Sequence, residues 1–517
     1  MITSPPAQRG ATPARPGGFD QVLRAEWVKF RTVRGWVIGM IVAVLAIVVL
    51  GLGPSLQGSC GKNGPASECS GPVGPGGEPV TDSFYFVHRP LAGNGSITIR
   101  LTSLTGQIPA AGAGMRSGLV PWAKAGIIIQ AGTRPGSAYA AMMVTGRHGV
   151  RMQYDYTGDV PGLAGSVSAA SPRWLRLTRS GDTLTGYDSA DGRHWAKVGT
   201  AILAGLSPTV PGGLFATSPQ YWQTALALNS VSGGPSRATG VFDHLSLQGA
   251  WLGGGWAGRA IGAAGGPAAG SPGGFQQAAG RFTVSGTGDI SPSVSGPAGG
   301  GATIAQTLIG VFAGLIVVAV VGAMFMTAEY RRGLIRVTLA ATPRRGRVLA
   351  AKAVVIGAVT FAAGLVAAAI VVTLGPRVLR DNGVYVWPVT PLTEVRVIAG
   401  TAAVLAAAAV IALAIGAVLR RSAAAVATVI VVIVLPYLLT VAVPILPVGA
   451  TDWLARVTPA AAFAVQQTLI QYPQVSNVYA PSAGYYPLAP WAGFAVLCGW
   501  AAVALGVAAY LLRRRDA

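Results

Sequence analysis

Residues 303–352 read TIAQTLIGVFAGLIVVAVVGAMFMTAEYRRGLIRVTLAATPRRGRVLAAK, and the contrast between the two halves decides the class of the protein. From Thr303 to Thr327 no side chain is charged. At about 1.5 Å per residue a helix of that length crosses about 30 Å of hydrocarbon, and no water-soluble core requires such a run. From Ala328 onward the chain turns basic, with arginine at 331, 332, 336, 344, 345 and 347. An apolar run that ends in an arginine cluster predicts a membrane helix leaving the bilayer on the side where positive charge collects.

Working outward, five further runs have the same character: about Trp36–Gly53, Ala351–Leu374, Val397–Leu419, Ala423–Pro444 and Trp491–Leu512. Charged residues make up only 11% of the 517 residues, which excludes a soluble multidomain chain of this length. Mean hydropathy is +0.53. The net charge of +21 would suit a nucleic-acid binder, but its placement argues otherwise. The pieces expected on the cytoplasmic side hold roughly 18 basic against about 4 acidic residues, set against membrane segments and without an aromatic recognition stripe. The basic residues therefore read as topology determinants and contacts to anionic lipid, with no nucleic-acid partner.

Orientation follows from the short basic segments. Arg24 to Arg34 precede the first span, the six arginines above separate the second and third, Arg420 and Arg421 separate the fourth and fifth, and Arg513 to Arg515 follow the sixth. Six spans put all four clusters on one side. Both termini are thus expected in the cytoplasm of a bacterial cell, and residues 54–302 outside its plasma membrane.

Residues 1–18 are rich in Pro, Gly and Arg and are expected to be disordered, and they do not resemble a cleaved signal peptide. Residues 19–35, FDQVLRAEWVKFRTVRG, read as an amphipathic helix lying along the membrane surface. Phe19, Val22, Leu23, Trp27 and Phe30 can line its apolar face, beside Arg24, Glu26, Lys29 and Arg31. After the first span, residues 54–79 form a Gly/Pro-rich linker. It carries Cys60 and Cys69, candidates for a disulfide in an oxidising exterior.

Residues 80–250 predict an all-β domain. GSITIRLTSL, AGIIIQAG, SAYAAMMVTG, GVRMQYDY, RWLRLTRSG and DTLTGYDS are short, alternating or β-rich, and Gly, Asp, Ser or Pro turns separate them. Residues 251–302 read as a Gly/Ala/Ser-rich linker with one strand at RFTVSG. Trp122, Tyr139, Tyr154, Tyr156, Trp174 and Trp195 are read as core more readily than as sugar-stacking platforms. The turn from Asp188 through Asp191 to Gly192 lacks the remaining ligands of a calcium loop. No histidine pair is spaced for a metal. Gly253, Gly255 and Gly258 formally match a dinucleotide fingerprint but sit in low-complexity sequence.

WAKAGIIIQAG, GSAYAAMMVTGRHGVRMQY and PRWLRLTRSGDTLTGYDSADGRHWAKVG resemble the concanavalin-like jelly-roll domains of secreted bacterial proteins. RAEWVKFRTVRGW, TAEYRRGLIRVTLAATPRRGRVLAAK and WLARVTPAAAFAVQQT resemble the permease subunits of ABC type-2 transporters, actinobacterial ones in particular. Together they imply an α-helical membrane protein with six transmembrane helices, and an all-β jelly-roll sandwich inserted as an ectodomain between helices 1 and 2. The second resemblance implies a five-helix region over 303–517 and a cytoplasmic coupling loop at 328–352. Its contacts to an ATP-binding subunit would be Glu329, Tyr330, Arg331, Arg332, Gly333, Thr342, Pro343, Arg344, Arg345 and Arg347. It also implies two permease copies, alike or different, per complex.

No G-x-x-x-x-G-K-[ST] motif occurs, so no ATP site, cofactor or catalytic residue is expected in this chain, and a partner subunit would use the ATP. The span interiors read as essentially free of ionisable residues, which argues against ion-coupled transport. The expected function is the permease of an ATP-driven exporter. A second reading makes the chain a membrane-anchored sensor whose outer domain binds glycan or cell wall.

Overall fold

The computed structural model describes residues 18–57, 71–110, 114–224, 231–262, 273–295, 302–331, 333, 344–442, 446–477 and 479–514. Cys60, Cys69, Arg332, Thr342 and Pro343 lie outside these residues.

Helix α1, Phe19–Thr32, and helix α2, Arg34–Gln57, are separated at Val33, whose extended backbone breaks the helical ladder. Five more long apolar helices follow the β region: α3 (Ile304–Arg331), α4 (Arg345–Asp381), α5 (Pro391–Leu419), α6 (Ser422–Val441) and α8 (Pro490–Arg514). With α2 they make, among the described residues, six helices long and apolar enough to cross a membrane. Short helix α7, Val448–Val457, and the tight helical turns Pro459–Gln466 lie between α6 and α8.

Helix starts are set by local chemistry. The Thr303 side chain accepts from Gln306 N while the Gln306 side chain accepts from Thr303 N, a reciprocal cap at the head of α3. Thr390 caps α5, with Pro391 in the first turn. Pro436 removes a ladder donor in α6, and the helix is wound in wider π turns over Ile430–Val434 and Leu438–Ala442 on either side of it.

Small residues let these helices approach closely. A Cβ at Gly493 of α8 would run into the carbonyl of Ala461, so the fully buried segment Pro459–Gln466 depends on that glycine to seat against α8.

The β region is a two-layered antiparallel sandwich stitched by one 26-residue strand, Phe84–Pro109. Its first part pairs with Thr209–Thr217, which continues the layer through Lys124–Gln130 and Tyr139–Thr145. Its second part pairs with Arg173–Ser180 on one side and Arg237–Trp251 on the other. The core between the layers includes Ile97, Leu101, Ile127, Met142, Leu175 and Leu214. Strand alternation supplies this face, and a smaller cluster around Phe86, Tyr139, Tyr156 and Phe215 covers the far side of the first layer.

The sandwich extends further than expected. Residues assigned to a linker after 250 form the strands Ala257–Ile261, Gly273–Ala278, Arg281–Gly286 and Ile290–Pro292, and Phe282 and Val284 of RFTVSG enter the main core. Glycine and alanine carry no side-chain pattern to read, so only the strand with bulky alternation was visible. Gln474 Nε2 donates to Thr157 O at 3.3 Å, and Asn477 Nδ2 donates to Ser295 O at 2.9 Å, joining the sandwich to the chain after α7.

Candidate functional site

The four arginine-bearing segments meet at one end of the helix bundle. Lys352, near the start of α4, has no exposed surface. Its Nζ lies 2.7 Å from Glu26 Oε2 of α1 and 2.7 Å from Glu329 Oε1 of α3. Lys29 reaches the same carboxylates, at 2.8 Å from Glu26 Oε1 and 3.1 Å from Glu329 Oε1. Two acids and two bases thus form a neutral network that binds the surface helix to two spans. The Phe325 ring sits 4.6 Å from Lys352 Nζ and closes the network from the bundle side.

Neighbouring contacts extend the assembly to the remaining helices. Arg345 Nη1 donates to Leu512 O at 2.8 Å, holding the start of α4 to the end of α8. The Arg420 guanidinium stands over the Tyr330 ring at 5.2 Å, and Ser422 Oγ bonds Thr327 Oγ1 at 2.9 Å, holding the α5–α6 corner to α3. Arg420 itself has φ 58°, the left-handed turn that allows α6 to begin two residues later.

The surface helix presents a different face from the one its apolar residues suggest. Glu26 and Phe30 are buried against the bundle, while Trp27 remains 46% exposed, on the side available to lipid. Arg24 and Arg31 are exposed. Lys29, half-buried, loses solvation, yet its hydrogen bonds and attraction to Glu26 and Glu329 prevail and hold its pKa above the ordinary lysine value.

Two expectations change here. Lys352 falls inside the predicted third span, so that span is not free of ionisable groups. It is tolerated because two carboxylates neutralise it within hydrogen-bond distance. Glu329 belongs to the predicted partner-contacting set but turns inward, whereas Arg331, Gly333 and Arg344 are exposed and Tyr330, Arg345 and Arg347 are half-buried. Sequence reasoning missed the pairing because Glu26 and Lys352 are 326 residues apart. The available signal was an acid in the middle of the surface helix, flanked by Arg24 and Lys29, together with a lone lysine heading an apolar run.

The aromatic and acidic candidates of the β region are accounted for within the sandwich. Tyr139 and Tyr156 are buried, Trp122 stacks on His148 at 3.9 Å, and Arg176 covers Trp195 at 3.9 Å. Asp188 accepts from Leu163 N, and Asp191 accepts from Arg193 N and His194 N. These acids cap turns. Among the described residues, no cluster of three or more His, Cys, Asp or Glu could hold a metal ion.

This architecture is that of a multi-pass membrane protein with a β-sandwich between its first and second spans. The chain belongs to the ABC-2 family transporter proteins, whose family model matches residues 178–517. It is therefore a membrane transport component, of a family that implies a partner ATP-binding subunit.

No curated protein matches the chain in sequence. Solved structures similar to it include a functionally unknown protein from Saccharomyces cerevisiae, at 16% identity over 33% of this chain and 76% of that one, TM-score 0.21. Scytalido-glutamic peptidase aligns at 8% identity over 40% and 98%, TM-score 0.25. The GH43 BlXynB protein of Bacillus licheniformis aligns at 15% identity over 32% and 27%, TM-score 0.19. Scores this low set no fold for the β region.

Proposed function

We propose that the chain is the permease subunit of an ATP-driven exporter whose separate ATP-binding subunit docks at the end of the bundle bearing the Glu26–Lys352–Glu329 network. That network is the observation carrying the reading. A displacement of α1 or of the α3–α4 connection reaches two spans through short buried ion pairs, which resist bending far better than exposed ones. Arg331 and Arg344 stand exposed beside it, on either side of the connection, where an acidic partner surface can reach them.

In this reading the basic end faces the cytoplasm, both termini are inside, and residues 54–302 are outside as a jelly-roll domain. Two permease copies, alike or different, form the complex. Export suits a chain with an outer domain fixed over the far end of its spans. The test is co-purification of the tagged chain in mild detergent from cells expressing the candidate ATP-binding subunit. Capture of that subunit, weakened by Arg331→Glu with Arg344→Glu, is the expected result. Equal capture by wild type and variant would remove this docking site.

One observation favours the second reading, that the outer domain binds glycan. A cavity of about 490 Å³ on the sandwich is lined by Thr105, Gln107, Thr239, Gln276 and Ser285, hydroxyls and amides suited to sugar hydroxyls. A glycan array probed with the full chain in nanodiscs, against a Gln107→Ala, Gln276→Ala variant, decides whether it binds.

A further inference from the structure

At the end of the bundle opposite the charge network, a cavity of about 690 Å³ lies between α7, the chain from Gln467 to Ala489 and the start of α8. A second cavity, of about 350 Å³, shares Gln467, Leu469, Ile470 and Pro490 with it, so the two form one groove. Arg456 of α7 lines one part and Arg396 of α5 the other.

Both guanidinium groups are underused. Arg396 Nη2 donates to Gln467 O, but its buried Nε has no hydrogen-bond partner among the described residues. Arg456 is exposed. Among the described residues no carboxylate lies within 4.0 Å of either one. Asp452, one turn before Arg456, lines the same groove, so two positive charges face one negative. A buried N–H without a partner costs free energy that an anion accepting from it would recover.

The mouth of the groove is apolar. Ile470 lines both cavities and is 67% exposed, and Trp491, next in sequence to the lining residue Pro490, is 58% exposed. In a membrane helix bundle, such residues face acyl chains or sit at the headgroup boundary.

We propose that this groove binds an anionic amphiphile, with its phosphate or carboxylate headgroup between Arg396 and Arg456 and its chain running out over Ile470 and Trp491 into the bilayer. Guanidinium groups pair with such anions through strong, directional hydrogen bonds. Gln471 offers a further polar contact within the groove. Identifying this ligand as the cargo rests on the permease reading; the binding itself does not.

The experiment places the full chain in nanodiscs of equimolar phosphatidylglycerol and phosphatidylcholine, then measures by mass spectrometry the lipid retained after detergent extraction. No nucleotide or partner subunit is present, so the outcome is independent of the transport reading. Wild type is expected to retain phosphatidylglycerol selectively, and Arg396→Gln with Arg456→Gln to lose that selectivity at least about tenfold, the equivalent of about 1.4 kcal/mol. Arg380→Gln, at the same end of the bundle but outside the groove, should retain it. If the double variant fails to fold, Arg456→Gln alone, at an exposed side chain, should still lower it measurably. Equal retention of the two lipids by wild type, or unchanged selectivity in the folded variants, would overturn the proposal. Displacement of the bound lipid by inorganic phosphate would overturn it in favour of a soluble anion.

Discussion

Replacing Lys352 by methionine should be among the most damaging single changes in the helix bundle. The substitution keeps the volume of the side chain and removes only its charge. Glu26 and Glu329 would then face each other across a buried space, with half-exposed Lys29 as their only remaining ion-pair partner among the described residues. Deleting one partner of a buried pair costs about 3–5 kcal/mol, because the other charge stays buried without compensation. For a unit of this size about 1 kcal/mol corresponds to roughly 2–4 °C, so thermal unfolding should fall by about 6–20 °C. Lys29→Met is the internal control. Its side chain is 42% exposed, so solvent screens the pair and the loss should stay under about 1 kcal/mol. Adding Glu26→Gln and Glu329→Gln to Lys352→Met should recover most of the stability, since no buried charge is then left unpaired. The assay is tryptophan-fluorescence melting of purified full-length protein in detergent. A Lys352→Met midpoint within about 2 °C of Lys29→Met would refute the reasoning.

Three further predictions concern other parts of the fold. Burial raises the Asp82 carboxyl to about 6, against the lowering effect of hydrogen bonds from Gly136 N and Tyr156 OH. The folded sandwich therefore holds that proton more tightly than the unfolded chain, and Asp82 should make stability fall as pH rises from about 4 to 6 and level off above. Asp82→Asn should flatten this slope by up to about 3 kcal/mol in urea unfolding followed across that range. Gly493→Val should displace the buried segment Pro459–Gln466 from α8 and cost at least about 2 kcal/mol, read as a lower melting temperature and faster proteolysis after α7. Replacing Gln474 and Asn477 by alanine should remove about 1 kcal/mol per hydrogen bond between the sandwich and the membrane part, measured as a lower thermal unfolding midpoint of the full-length protein with amide protection in the sandwich core unchanged.

Much of this was legible because bilayers impose a length and an apolarity that few sequences meet by accident. All six predicted runs coincide with helices, but their ends differ. Helix α4 continues through Pro376 to Asp381, beyond the predicted end at Leu374, because hydropathy marks the apolar stretch and not the last hydrogen-bonded turn. In the sandwich, strands with alternating bulky side chains were visible, whereas those in Gly/Ala-rich sequence were not. GSITIRLTSL, read as a short strand of its own, is the middle of one continuous strand, Phe84–Pro109, that serves both layers. The charge network was the least legible element. Its members come from three separate segments, and nothing local in any of them specifies the pairing.

Photo-crosslinking tests the central claim most directly. A photoreactive residue is placed singly at 331 or 344 at the charged end, or at 380 at the opposite end, in cells that also produce the candidate ATP-binding subunit. The account predicts crosslinks to that subunit from 331 and 344 and none from 380; crosslinks from 380 alone would contradict it.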